Sequence, residues 1–332
     1  METNLATVRR ILKVDPIQGA DSIEVATVGG YKTVVKKGSF AEGDLCVFIE
    51  IDTILPDAPW NFLKPGHRLK TCRLRGQVSQ GLALSTSLVA PASRHEGVDV
   101  TEELKVTKYV SAEPDGTLAG QIKGSFPNHV ISKTDERNAQ SDLSLFHEIV
   151  AGPHVVTVKY DGSSMTVWND DMVGLRVCSR NLELKEDDNN AFWRMARRLP
   201  KLPTGLVFQG ELCGPGIQKN PLTLPESRLF VFNVKVIDPS HTEMQNAGWD
   251  GYLPHHHIQR ICDSLGLEHV ASVDSIEPPS LDAYLALTDS LTYPNGRPAE
   301  GIVIRPTKPT YDSRSGRLQS VKVLSARYDE AK

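Results

Sequence analysis

Residues 154–164 read HVVTVKYDGSS, an apolar strand that ends on Lys159 and runs into a turn with Asp161-Gly162 at its centre. A lysine at the mouth of a strand, partly desolvated and near other cations, has its pKa pushed down. It can then supply a neutral amine as a nucleophile. The competing reading is a surface lysine ahead of an ordinary Asp-Gly turn. This stretch taken alone does not separate the two.

Further along the chain, chemistry-bearing residues recur at strand ends. Glu211 lies in QGELCG (209–214) and Glu300 in AEGIVIR (299–305), each beside a glycine. Lys322 sits within the apolar SVKVLS (320–325), Arg180 in CSRN (178–181), and Phe230 and Phe232 in LFVFNV (229–234). Glu300 precedes an apolar strand, where an isolated carboxylate is unfavourable, so a partner or a bound ion is expected. Singly, the acids read as solvated strand ends and the aromatics as core; chance is a poor account of the whole ordered set. The usual nucleotide and hydrolase templates are missing: there is no GxxxxGK[ST] loop, no GxGxxG opening a helix, no HExxH and no GxSxG. GPGIQKN (214–220) is Gly-rich, but no clear helix follows it, so it is weak evidence.

The chain before this region has a different texture. VATVGG, KTVVKKG, DLCVFIEIDT and GLALSTSLV read as short strands with glycine punctuation, which predicts a small OB-like β-barrel over residues 1–110. A polar Gly- and Pro-containing stretch predicts a linker over 111–127. From 128 to 332 strands dominate, with helices packed outside, an α+β domain. NNAFWRMARRL places Phe192, Met195, Ala196 and Leu199 at helical spacing, HHHIQRICDSLGL does so for Ile258, Ile261, Cys262 and Leu265 before Gly266, and SLDAYLAL is a helix capped by Ser280. His255, His256 and His257 could suggest a metal cluster, but a solvated helix start is the simpler reading.

Bulk composition excludes little. The 332 residues carry 37 Lys+Arg against 41 Asp+Glu, a net charge of -4, so any nucleic-acid surface is local. One candidate is WNFLKPGHRLKTCRLRGQVSQG (60–81), in a span free of acids from 58 to 95, with Lys64, Arg68, Lys70, Arg73 and Arg75 beside Trp60 and Phe62. Such interleaving can hold phosphates and stack bases, or be solvated strands whose cations cluster. Five scattered cysteines without a CxxC pair suit free thiols. No stretch approaches the roughly 20 apolar residues of a membrane span. The first residues lack a secretory h-region. The expected location is cytoplasmic or nuclear, not secreted.

The ordered set resembles the covalent nucleotidyltransferase superfamily of ligases and capping enzymes. KYDG looks like motif I, CSRN motif Ia, GELCG motif III, FVFN motif IIIa, EGIVIR motif IV and SVKV motif V. GELCGPGIQKN and SRN are similar to RNA ligases in particular. LATVRRI (5–11), the run from Gly19 to Pro56, and RLRGQVSQGL (73–82) resemble the N-terminal OB module of RNA ligase family five. The resemblance implies an OB-like β-barrel followed by an ATP-grasp-like nucleotidyltransferase domain of antiparallel sheets with flanking helices.

It also implies ATP as the AMP donor, Mg²⁺ or Mn²⁺ as metal, and a nicked RNA-containing duplex as partner, sealed by a monomer with RNA on the 3′-OH side. By the same resemblance Lys159 accepts AMP and Lys322 neutralises the α-phosphate. Arg180 holds the nucleotide or the 5′-phosphate end, Glu211 contacts the ribose, Phe232 stacks on adenine, and Asp161, Glu211 and Glu300 hold the metal through water. KTDERNAQS (133–141) resembles a KTDxxRxQN segment of relatives, which assigns Gln140 to the nucleotide and leaves the triphosphate arginine open. That position falls on Asn138, so either Arg137 has taken the role or another cation has. The second lysine of motif V falls on Leu324, and Phe230 could replace Phe232. The alternatives are a DNA ligase, a capping-type nucleotidyltransferase, or a non-catalytic OB-type nucleic-acid-binding protein.

Overall fold

The computed structural model describes residues 4–109, 121–238, 240, 250–312 and 316–331. The chain divides into two compact units, the first formed by the N-terminal residues through 109 with Gln140–Leu143 and residues 326–331, the second by the remainder.

The first unit is a five-stranded antiparallel sheet in the order Tyr31–Lys36, Ile23–Val28, Ala6–Pro16, Leu45–Ile49 and Leu82–Ser85, the half-barrel of an OB fold. The apolar run LCVFI has no alternation because its strand is buried on both faces. Val47 and Ile49 join one cluster with Ala6 and Val8, while Cys46 and Phe48 join another with Ile11, Ala26 and Tyr31. The 11-residue Ala6–Pro16 strand serves both clusters because its register with Ile23–Val28 slips between Ile11 and Lys13. A bulge bends a strand and increases its twist, which carries the sheet around the second cluster.

The second unit is built on two large sheets, each with helices on one face. A seven-stranded sheet runs Ile122–Ser125, Leu182–Leu184, Gly174–Cys178, Ser163–Asp170, Leu206–Cys213, Arg228–Val236 and Glu268–His269. Helices Ala191–Arg198 and His255–Leu265 cover it with Trp193, Met195, Ala196, Ile258 and Cys262. A five-stranded sheet runs Arg137–Asn138, Val321–Leu324, Gly301–Pro306, His154–Lys159 and Ser272–Val273. Helices Leu143–Val150 and Leu281–Ser290 pack there through Leu145, Phe146, Ile149 and Tyr284.

The predicted helix ends are found where local chemistry put them. Ser280 accepts from Ala283 N, and Gly266 closes its helix at φ 69°. Helix Leu143–Val150 has no counterpart in the sequence reading. Leu199 is the C-cap of its helix, and Trp193 joins Met195 and Ala196 on the buried face. Residues 111–120 of the expected linker lie outside the described residues, and Ile122–Ser125, also within it, is a strand paired with Leu182–Leu184. The first unit likewise takes in segments beyond residue 110. Gln140 donates to Gly30 O at 2.8 Å, and Arg73 pairs with Glu330 at 2.8 Å. Among the described residues no helix is long and apolar enough to cross a membrane.

Gly301 begins the strand that pairs with Lys159, and a Cβ there would lie 2.1 Å from the Val323 carbonyl oxygen. Gly301→Ala must push two paired strands apart. It is expected to destabilise the protein by about 1–3 kcal/mol, read as a lowered melting temperature; a parent-like melting temperature would refute the close packing.

Candidate active site

Paired residues of an antiparallel ladder share a face, and the face alternates along each strand. The register Lys159↔Gly301, Thr157↔Val303, Val155↔Arg305 and Val303↔Lys322 therefore puts Lys159, Thr157, Arg305 and Lys322 on one face. The other face carries Val156, Ile302, Ile304, Val321 and Val323, all buried under the helices. Alternation alone separates the reactive groups from the core.

The seven-stranded sheet supplies the opposing groups through a bulge. Leu206–Cys213 and Arg228–Val236 are in register as Gly210↔Val231 and Gln209↔Asn233, so Phe232 is the extra residue. Val231 and Val234 remain in the core, which turns Phe230, Phe232 and Asn233 away from it. A Cβ on Gly210 would meet Phe230 O at 2.7 Å, so the bulge needs glycine there. Phe230 stacks on Tyr160 with ring centroids 4.3 Å apart and 3° between planes. Phe232 instead lines a concavity with Thr157, Asn233, His255, Arg305 and Glu136. Arg305 joins the sheets: it donates to Phe232 O at 2.9 Å, Asn233 Oδ1 at 3.0 Å and Glu136 Oε1 at 3.1 Å. Lys159, Glu211 and Glu300 do not line the concavity. Lys159 lies two residues beyond Thr157 on the same face, and Glu136 belongs to both groups through its electrostatic pull on Lys159.

Lys159 Nζ donates to Glu300 Oε2 at 2.7 Å. The strand-end reading expects a depressed lysine pKa; the structure has the opposite. Burial does disfavour the charge, but Glu300, Glu211 and Glu136 outweigh it and raise the Lys159 pKa. Burial and the charge of Lys159 lower the Lys322 pKa. Glu136 is disfavoured by burial, yet Arg305, Lys159 and Lys322 lower its pKa overall. Glu211 accepts from Gly162 N at 3.1 Å. Burial first, then repulsion from Glu300, Glu136 and Asp161, push Glu211 up to about 8 against the pull of Lys159. Among the described residues no group of three His, Cys, Asp or Glu side chains is placed to hold a metal ion. Asp161, Glu136 and Glu300 nevertheless gather negative charge around Glu211. The crowding of negative charge that raises Glu211 is what favours a cation there.

Other expected site residues fall elsewhere. Arg180 is half-exposed and pairs with Asp135 at 3.0 Å. Arg137 lies in the edge strand of the five-stranded sheet. Its strand pairs as Arg137↔Val321 and Asn138↔Lys322, so Asn138 shares the Lys322 face and Arg137 does not; its guanidinium meets buried Asp312 at 3.6 Å. Gln140 Nε2 donates to Gly30 O at 2.8 Å and to Gln80 Oε1 at 2.9 Å inside the first unit. In the basic stretch Arg68 pairs with Asp52 and lies over Tyr109, while Phe62 stays 70% exposed. His255 is half-buried rather than solvated, bonded to Ser272 Oγ at 3.0 Å, and burial lowers its pKa to about 4. Sequence reasoning missed Glu136, Asn233 and Arg305, whose only local signal is charge or polarity next to recognised motifs.

Because the Glu211 pKa lies above the ordinary carboxylate range, its contribution to stability is present at low pH and lost as pH rises through about 8. Glu211→Gln cannot ionise. Its melting temperature relative to the parent is expected to rise as pH is taken from about 5 to about 9; a difference independent of pH would overturn the cause given for the shift.

An OB-fold domain family model matches residues 5–86, and an RNA ligase family model matches residues 152–324. A structure of Naegleria gruberi RNA ligase with PPi is 33% identical, with TM-score 0.80 and 99% of both chains covered. Mutants of the same Naegleria gruberi enzyme with ATP and Mn, and with AMP and Mn, are each 32% identical with TM-score 0.81, and 99% of both chains is again covered. No curated protein sequence matches.

Proposed function

The chain belongs to the RNA ligase family, and from that premise we propose that it is an ATP-dependent RNA ligase that carries AMP on Lys159 and seals 3′-OH/5′-phosphate nicks with RNA on the 3′-OH side. The observation that carries this reading is the position of Lys159: half-buried, gripped by Glu300, and next along its strand face to a concavity walled by Phe232. Relatives with ATP, AMP and Mn support the choice of nucleotide and metal.

In the first step Lys159 gives up a proton to solvent and its Nζ attacks the α-phosphorus of ATP. The P–N bond forms as the bond to pyrophosphate breaks. A 5′-phosphate oxygen then takes the AMP phosphorus, breaking the P–N bond. Finally a 3′-OH attacks the activated 5′-phosphate and AMP leaves. Catalysis of such transfers is largely positioning and charge neutralisation. A divalent cation held by Asp161, Glu211 and Glu300 would offset the negative charge that keeps the proton on Lys159 and shield the phosphates. Lys322, on the Lys159 face, neutralises the α-phosphate, and its pKa is lowered by burial first and then by the neighbouring Lys159 charge. Phe232 stacks on adenine, with its carbonyl anchored by Arg305. Arg180 is free to turn to a phosphate at small cost, because its pair with Asp135 is half-exposed.

With α-labelled ATP and a denaturing gel, the parent is expected to form an acid-labile, base-stable adduct that Lys159→Ala abolishes; a full-yield adduct in the variant sinks the assignment. Nicked duplexes ending in one or two ribonucleotides on the 3′-OH side should be sealed faster than all-DNA nicks, because the 2′-OH is the group that separates RNA from DNA at one site. Equal rates would reassign the enzyme as a DNA ligase.

A further inference from the structure

The ladder between His154–Lys159 and Gly301–Pro306 ends at the Lys159–Gly301 pair. Backbone N–H groups past the end of a ladder have no strand partner, and buried ones need another acceptor. Asp161 N and Glu300 N both donate to the hydroxyl of Tyr293, at 3.1 and 3.2 Å, and that hydroxyl donates to Lys159 O at 3.1 Å. A phenolic oxygen has one proton and can accept at its lone pairs, so a single atom ties the backbone of three expected site residues from two separate segments.

The ring itself is held. Tyr293 is 2% exposed and stacks on Tyr160 at 5.8 Å and 13°, and Tyr160 stacks in turn on Phe230. Its loop is tied at the base, with Tyr293 N donating to Arg297 O at 2.8 Å and Asn295 Nδ2 to Pro221 O at 2.9 Å. An aromatic core residue would need only the ring. The hydroxyl, hydrogen-bonded to the ends of the Lys159 and Glu300 segments, has a different use.

We infer that Tyr293 is a positioning residue for the attack of Lys159, its hydroxyl holding the Lys159, Asp161 and Glu300 backbones in one arrangement so that the amine meets the α-phosphorus in line. The inference rests on the lysyl-AMP reading given above. Small displacements of a nucleophile cost large factors in rate while leaving binding nearly intact.

The test compares Tyr293→Phe with the full-length parent. At saturating ATP, formation of lysyl-AMP is expected to slow about 10- to 100-fold, with the KM for ATP within about threefold. Sealing of a pre-adenylylated nick, where Lys159 is not the nucleophile, is expected to fall at least about fivefold less in the same preparation. Unfolded protein is missing from both assays, so their ratio is independent of folded fraction. Tyr293→4-aminophenylalanine returns a donor and an acceptor to the same place and is expected to recover part of the adduct rate. A parent-like rate, an equal loss in both assays, a loss confined to KM, or no recovery with the amino analogue overturns the inference. A parent that forms no adduct at all fails the functional reading instead, and does so before any variant is compared.

Discussion

A half-buried ammonium is stable only with a counter-charge in contact, and the rest of the second unit is arranged around meeting that requirement for Lys159. Glu300 is 2.7 Å away because the ladder between their strands places Gly301 opposite Lys159. A shift of one residue in that register would turn Lys159 toward Phe146 and Ile149 and bring Val158 to the charged face. The apolar residues on the helix side therefore fix the charges on the other side. The cost appears at Glu211, which shares the space with three other carboxylates and is pushed far from its ordinary range.

Two irregularities make the arrangement reach across sheets. The bulge at Phe232 breaks the two-residue period once, so that Phe230, Phe232 and Asn233 all turn from the core. Arg305 then uses its forked donors on both a backbone oxygen and two side chains, one of them Glu136. Arg305 and Glu136 form a pair with limited exposure, where unpaired charge would be costly. The pair both neutralises itself and couples the Phe232 wall to the Lys159 cluster.

The first unit uses polar contacts differently. Glu50 accepts from Arg9 and, at 2.9 Å, from Ser141, while Tyr31 and Ser141 share a hydrogen bond of 2.7 Å. Arg9 also lies over the Phe48 ring at 5.1 Å. These bonds, with those of Gln140, fasten a four-residue segment from the middle of the chain into the N-terminal sheet. This is why a glutamine matching a nucleotide-binding motif is found among structural contacts.

The sequence by itself carried the two-part architecture, most of the strands, the caps at Ser280 and Gly266, and the ordered appearance of Lys159, Glu211, Glu300 and Lys322. These are properties of period, turn chemistry and short motifs, which depend on neighbours a few residues away. What it could not carry were relations across long separations. Nothing local distinguishes Phe232 from Phe230; the bulge and the Tyr160 ring do. Nothing local says whether Arg137 or Asn138 faces Lys322, because that follows from pairing with a strand almost two hundred residues on. The direction of the Lys159 pKa was lost for the same reason: strand-end burial is visible in the sequence, but the three carboxylates that outweigh it converge only on folding. Charge and hydrogen bonding act through space over a few ångströms, so their balance belongs to the tertiary structure.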